Sequence, residues 1–242
     1  MDAHFITGTG TDIGKTWLAC ALLRHWRDAG MRPAAFKPVL SGFDPQRPEA
    51  SDAGALLAAL GRAASVGELD AIAPWRFAAP LSPDMAAARE GRTIDFAELV
   101  AYTRRCLPPR GNPRHAERAS AVCADNSGPT LVEGVGGVMA PLDESHTVRD
   151  WIAASGLHCV LMAGSYLGSL SHTLTALEAL ARVGAGVTAV VVNETPDSTV
   201  ALDATLEALS RHAVGIPLVS IARDTPQPGV VRLAALLCPE IV

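Results

Sequence analysis

The sequence predicts an α/β fold: a doubly wound, mostly parallel sheet in a single domain over residues 1–242. Three observations predict it. Short apolar runs alternate with longer helical stretches along the chain, the rhythm of a parallel sheet. Several of the runs are apolar at every position, as expected for strands covered by helices on both faces. Neither an internal repeat nor a shift in composition marks a domain boundary.

The first strand is expected at residues 4–7, where His4-Phe5-Ile6-Thr7 runs into glycine, and a helix at 15–29 follows. A second strand at 34–38 leads to a helix at 52–60. Ser82 before Pro83 reads as an N-cap and a first-turn proline, opening a helix that continues to Glu90. A helix at 96–105 comes next. Residues 104–129 are rich in Arg, Pro, Asn and Ser and read as a solvated loop or a helix extension. The alternation then resumes, with strands at 130–132, 159–163, 187–192 and 217–221 and helices at 169–183 and 199–212. Ligands of such sheets sit at the carboxyl ends of the strands, so the chemical residues are expected just after them.

The bulk properties exclude several classes. A formal net charge of −5 argues against a general affinity for nucleic acid or anionic membranes. No apolar run approaches the roughly 20 residues that a membrane span needs, and the start of the chain has no leader pattern. Cys20, Cys106, Cys123, Cys159 and Cys238 are scattered and form no Cys-x-x-Cys pair. That usage fits reduced thiols in the cytoplasm, not a zinc site or a disulfide framework.

The chemistry begins at Gly8-Thr9-Gly10-Thr11-Asp12-Ile13-Gly14-Lys15-Thr16, between the first strand and the first helix. This order makes a phosphate-binding loop. Backbone N–H groups converge on the phosphates, and the helix N-terminus adds partial positive charge. Lys15 supplies a mobile cation, and the Thr16 hydroxyl is placed for magnesium. Strict spacing would put the first glycine at position 9, which holds Thr9. The fold class is therefore P-loop NTPase-like.

Two further strand ends carry charge. Glu133 closes the strand at 130–132 and precedes Gly134-Val135-Gly136-Gly137. An acidic residue at such a tip commonly completes the magnesium shell, and the glycines permit close backbone approach. Lys37 ends the second strand before Pro38-Val39-Leu40-Ser41-Gly42. It is either a solvent-facing end residue or a second cation over the γ-phosphate. Ser51-Asp52-Ala53 reads as a helix cap.

Taken together, these motifs resemble one family, dethiobiotin synthetase. The resemblance rests on the segment from Thr7 to Thr16, Lys37-Pro-Val-Leu-Ser-Gly42, Ser51-Asp-Ala53, Pro80-Leu-Ser-Pro83, Glu133-Gly-Val-Gly-Gly137, Leu167-Gly-Ser-Leu-Ser-His172 and Val192-Asn193. It implies an ATP-dependent cyclo-ligase that turns 7,8-diaminononanoate and CO2 into dethiobiotin, with Mg2+ as cofactor and a homodimer as the working unit. It implies Lys15 and Lys37 as the catalytic cations, and Thr16, Asp52 and Glu133 as metal ligands. ATP would be held by Asp12, Ile13, Gly14, Lys15, Thr16, Trp17, Asp52, Glu133, Gly134, Val135, Gly136, Asn193 and Pro217. The substrate would meet Thr11 and Ser41 at one end and Gly168, Ser169, Leu170 and Ser171 of the neighbouring subunit at the other. The residue-level reading of that last segment leaves an alternative, that Ser169 and Ser171 only cap the helix.

Four positions depart from the family pattern. Gly10 stands where an acidic residue is frequent, Asp12 where Glu is common, and Ser171 where Asn is usual. Gly215-Ile216-Pro217 lacks the Glu of the usual Gly-Glu-Ile-Pro. Two other readings compete. A partitioning-type ATPase switch would carry a lysine five residues before Lys15, where this chain has Gly10. A P-loop amidoligase acting on cobyrinic-acid-like substrates would bring a glutamine-hydrolysing domain, for which the chain has no room.

Overall fold

The computed structural model describes residues 3–108 and 128–239. Its strands are β1 (Ala3–Gly8), β2 (Ala34–Phe36), β3 (Val39–Ser41), β4 (Trp75–Phe77), β5 (Thr130–Glu133), β6 (His158–Gly164), β7 (Val187–Asn193) and β8 (Leu218–Ile221). The helices are α1 (Lys15–Asp28), α2 (Asp52–Ala59), α3 (Val66–Ile72), α4 (Pro83–Arg89), α5 (Phe96–Cys106), α6 (Val148–Ser155), α7 (Ser169–Ala181), α8 (Leu202–His212) and α9 (Gln227–Leu237).

Six strands form one sheet in the order β2-β5-β1-β6-β7-β8, and its ladders among the described residues are parallel. The period-2 geometry of a strand explains the continuously apolar runs. Along β6, Val160 and Met162 face one way, into a core with Leu22, Trp26 and Leu233 from α1 and α9. Cys159, Leu161 and Ala163 face the other way, against Trp151, Leu180 and Leu209 from α6, α7 and α8. Each face buries its own set, at about 1.5–3 kcal/mol per large apolar side chain. Some buried polar groups are paired. In the second core Trp151 Nε1 donates to Thr103 Oγ1 at 2.9 Å, and Phe5 meets the Trp151 ring edge-on at 4.8 Å. Burial pushes the Cys20 thiol up to about 11 and the Cys159 thiol up to about 12, so both stay protonated and unreactive.

All six expected strands are present in the sheet, with one change of course. The strand expected at 34–38 ends at Phe36. Lys37 and Pro38 leave the ladder, and the chain enters a separate two-stranded parallel sheet of β3 and β4. Proline has no N–H for a ladder, which suits this exit. Strands of three residues are too short to show a period, so β3 and β4 left no signal. Helices α3, α6 and α9 were also not anticipated. Of the segment 104–129, Arg104 and Arg105 close α5, and Arg104 Nη2 donates to Ala154 O at 2.7 Å; residues 109–127 lie outside the described residues. Among the described residues no helix is long and apolar enough to cross a membrane.

Because the strands run in parallel, Gly8, Glu133, Gly164, Asn193 and Ile221 all end on one edge of the sheet. At the centre of that edge β1 lies between β5 and β6, and the loop after β1 opens there.

Candidate active site

The loop after β1 is anchored on both sides. Thr9 N donates to Met162 O of β6, and Val138 N donates to Gly8 O, each at 2.9 Å. Gly14 sits at φ 95°, a left-handed conformation, as the N-cap of α1. Any side chain there would also meet Asn193: a Cβ would lie 2.6 Å from Asn193 Nδ2. Asn193, at the end of β7, donates to Ile13 O at 3.2 Å and so fixes the loop from below. Gly137 is needed for a different reason. A Cβ on it would press on the loop backbone, 3.1 Å from Thr9 O and 3.2 Å from Gly10 N. The glycines after Glu133 therefore let one strand-end loop lie against the other.

Lys15 opens α1 and turns its Nζ back to Gly10 O at 2.7 Å. Burial lowers its pKa, and repulsion from Lys37 lowers it further, to about 8; Glu133, Asp52 and Asp12 pull it only partly back. Lys37 is buried and surrounded. Its Nζ donates to Glu133 Oε1 at 2.6 Å and to Gly134 O at 2.9 Å, and lies 3.1 Å from Asp52 Oδ2. Burial alone would lower the pKa of Lys37, but the two carboxylates outweigh it and hold the pKa above the ordinary lysine value. Burial thus sets Lys15 below the ordinary lysine value, while two carboxylates hold Lys37 above it.

The cap alternative at Ser51-Asp52 divides cleanly. Ser51 is the cap, its hydroxyl accepting from Gly54 N at 3.1 Å. Asp52 is then the first helical residue, and its carboxylate is left for Lys37. Burial works against that carboxylate's charge, but Lys37 reverses the balance and the Asp52 pKa falls. Thr16 Oγ1 donates to Glu133 Oε1 at 2.6 Å. The other oxygen, Glu133 Oε2, is buried and has no hydrogen-bond partner among the described residues. Thr16, Asp52 and Glu133 thus offer hard oxygen atoms at one place, with lone pairs to spare for a hard cation. Among the described residues no group of three or more His, Cys, Asp or Glu side chains could hold a metal unaided. Magnesium does not need one, since phosphate oxygens and water complete its shell.

A cavity of about 1020 Å³ opens over this cluster. Of the expected site residues it is lined by Thr11, Asp12, Gly14, Lys15, Thr16, Trp17, Lys37, Ser41, Asp52, Glu133, Val135 and Gly136. Ile13, Gly134 and Asn193 support it from behind. Gly168, Ser169, Leu170 and Ser171 do not line it; they start α7 beyond the end of β6, with Leu167 beside them 85% exposed.

Pro217 is a correction. It precedes β8, with its carbonyl accepting from Val190 N, while Asn193 pairs with Ile221 at the other end of that strand. Four residues of strand, about 13 Å, separate the two positions. The rule that ligands gather at carboxyl ends would have pointed past Ile221, where Arg223 N donates to Glu194 Oε2 at 2.7 Å. Sequence reasoning gave no site role to residues 80–83, read only as a helix opening and a family motif, or to Ala140 and Pro141, though all of them line the cavity.

Comparison with known proteins identifies the family. A family model described as an AAA domain matches residues 2–222. The ATP-dependent dethiobiotin synthetase BioD of Acidiphilium cryptum is 48% identical over 93% of this chain and 95% of its own length. That of Phenylobacterium zucineum is 43% identical over 93% of this chain and 90% of its own. Among solved structures, the cell division ATPase MinD of Pyrococcus furiosus superimposes with a TM-score of 0.51, covering all of both chains at 15% identity, which speaks for the fold alone. With relatives matched nearly end to end, the chain belongs to the ATP-dependent dethiobiotin synthetase family.

Proposed function

We propose that the protein converts 7,8-diaminononanoate and CO2 into dethiobiotin at the expense of ATP. One amine takes up CO2 and loses a proton to give a carbamate. The γ-phosphoryl group passes to a carbamate oxygen, releasing ADP. The second amine then attacks the carbonyl carbon, the bond to phosphate breaks, and a cyclic urea remains. The difficulty lies in the charges, because an anionic carbamate must approach a polyanionic triphosphate.

The observation that carries the reading is the meeting of Lys15, Lys37, Thr16, Asp52 and Glu133 at one cavity after β1. Lys37, kept charged by its two carboxylates, places a fixed cation where carbamate and phosphate meet. A positive group held in advance stabilises transferring charge without reorganisation. Lys15 and the N–H groups opening α1 hold the phosphates. Thr16, Asp52 and Glu133 would hold magnesium, which when bound neutralises phosphate charge during transfer. Thr11 and Ser41 line the same space and would meet the diamine end, and Asn193 would meet the nucleobase.

The proposal includes a homodimer in which the substrate carboxylate ends at Gly168, Ser169, Leu170 and Ser171 of the second subunit. Two features support it. This turn lies outside the cavity of its own chain, and it opens a 13-residue helix whose first N–H groups suit a carboxylate. It also includes a cytoplasmic setting, supported by the buried thiols.

The test is substrate dependence. ATP hydrolysis should appear only when diamine and bicarbonate are both present, with labelled bicarbonate carbon recovered in the urea by mass spectrometry. Hydrolysis indifferent to the diamine would overturn the proposal.

A further inference from the structure

One wall of the cavity takes no part in the phosphate chemistry. It is formed by the end of β3 and by the turn from β4 into α4, and it presents two hydroxyls, Ser41 and Ser82. Ser41 Oγ is buried and has no hydrogen-bond partner among the described residues. Ser82 is different, because its Oγ is 2.5 Å from Asp84 Oδ1. An ionised carboxylate has no proton to give, so the hydroxyl must be the donor in this pair. Its single proton is committed. A ligand reaching Ser82 from the cavity therefore meets lone pairs only. Asp84 itself does not line the cavity. Ser82 is the N-cap of α4, yet its side chain makes no capping hydrogen bond, so the helix does not account for this arrangement.

We propose that Ser82, oriented by Asp84, accepts a hydrogen bond from a primary amine of the substrate and leaves that amine's lone pair free for ring closure. The inference rests on the diamine substrate proposed above. A neutral amine has two N–H donors and one lone pair, and the lone pair is the nucleophile. A hydroxyl that donated would occupy the lone pair and blunt the attack. A hydroxyl that only accepts takes an N–H and turns the lone pair away from itself. In closure the N–C bond forms, the C–O bond to phosphate breaks, and the surplus proton leaves the nitrogen with the departing phosphate. Ser82 touches the substrate in this scheme, and Asp84 is a positioning residue that acts through it. Ser41 has an uncommitted proton and lacks this one-way character.

The experiment measures KM for 7,8-diaminononanoate, KM for ATP, and Tm in wild type, Ser82→Ala, Asp84→Ala and the double variant. One hydrogen bond lost should raise the diamine KM about three- to tenfold in each single variant. The ATP KM and Tm should stay close to wild type, and the double variant should be no worse than Ser82→Ala, because Asp84 has nothing left to orient. An unchanged diamine KM in Ser82→Ala would overturn the proposal. So would additive effects in the double variant, or an ATP KM and Tm that shift together with the diamine KM. Glycine is well tolerated at an N-cap, so Ser82→Gly replaces Ser82→Ala if the latter does not fold. A wild-type protein that makes no cyclic urea would refute the proposed function instead. An active wild type with unaltered variants would refute this inference alone.

Discussion

The two ends of the expected substrate path differ in how complete they are. At the phosphate end, one chain brings Lys15, Lys37, Thr16, Asp52 and Glu133 together, and each lysine has its hydrogen-bond acceptors in place. At the α7 end, Gly168 and Ser169 open a helix that does not line this cavity, and the buried Ser169 Oγ has no hydrogen-bond partner among the described residues. The first region is internally balanced. The second makes sense as a receiving surface. Charges are costly to bury without partners, so the phosphate end must be assembled before any ligand arrives. A helix terminus can remain open to solvent at little cost and wait for a carboxylate.

The largest expected effect tests the balanced end. Lys15→Ala should cut turnover on the order of 10²–10³-fold, with the fold kept, because Gly10 O is the one hydrogen-bond acceptor of Lys15 among the described residues. Steady-state rates alongside a thermal melt decide it; near-normal turnover would remove the P-loop assignment. Lys37→Gln sharpens the contrast between the lysines. It should lower kcat by about 10²-fold with a smaller change in the ATP KM, as for a contact made mainly in the transition state. It should also lower Tm more than Lys15→Ala does, since Glu133 would be left buried without its cation. A change confined to the ATP KM would reduce Lys37 to a phosphate clamp.

The pH dependence follows from Lys15. Its pKa is lowered to about 8, so the free site holds the cation below pH 8 and loses it above. ATP affinity should therefore fall as pH rises through 8, by up to about tenfold per unit beyond it. Calorimetric titration at pH 7 and pH 9 measures this, and Lys15→Arg, which keeps its charge, should flatten the curve. The mildest signal concerns the α7 end. Mixing Lys15→Ala with a variant bulky at Ser169 and Ser171 should restore about a quarter of normal activity, because random exchange leaves one intact site in each mixed dimer. No recovery, with exchange verified by mass, would place the whole substrate path within one chain.

Much of this site could be read before folding was considered. The run from Gly8 to Thr16 is contiguous, so its strand, loop and helix start are all local, whereas the anchor that Asn193 gives it comes from the fold, the family resemblance having implied only a contact to ATP. The apolar runs likewise gave all six strands of the main sheet, since a strand buried on both faces must be apolar at every position. Pro217 sits at the opposite end of β8 from Asn193, because a parallel strand has its ligand end after Ile221. The opening of the helix at Ser82-Pro83 was legible as a local cap, but that residues 80–83 form a wall of the cavity depends on packing in space.

Lys37 marks the boundary between what sequence and structure decide. Its sequence allowed a surface lysine or a catalytic one, and Asp52 allowed a cap or a ligand. The tertiary structure takes Lys37 off the surface by placing Glu133, 96 residues away along the chain, at 2.6 Å from Lys37 Nζ, and it leaves the cap to Ser51. Sequence by itself determined the six strands of the main sheet, most of the helices between them and the phosphate loop, because those depend on neighbours along the chain. The charge state of Lys37, the release of Asp52 from capping and the proton committed between Ser82 and Asp84 depend on burial and on partners in space, and only packing sets those.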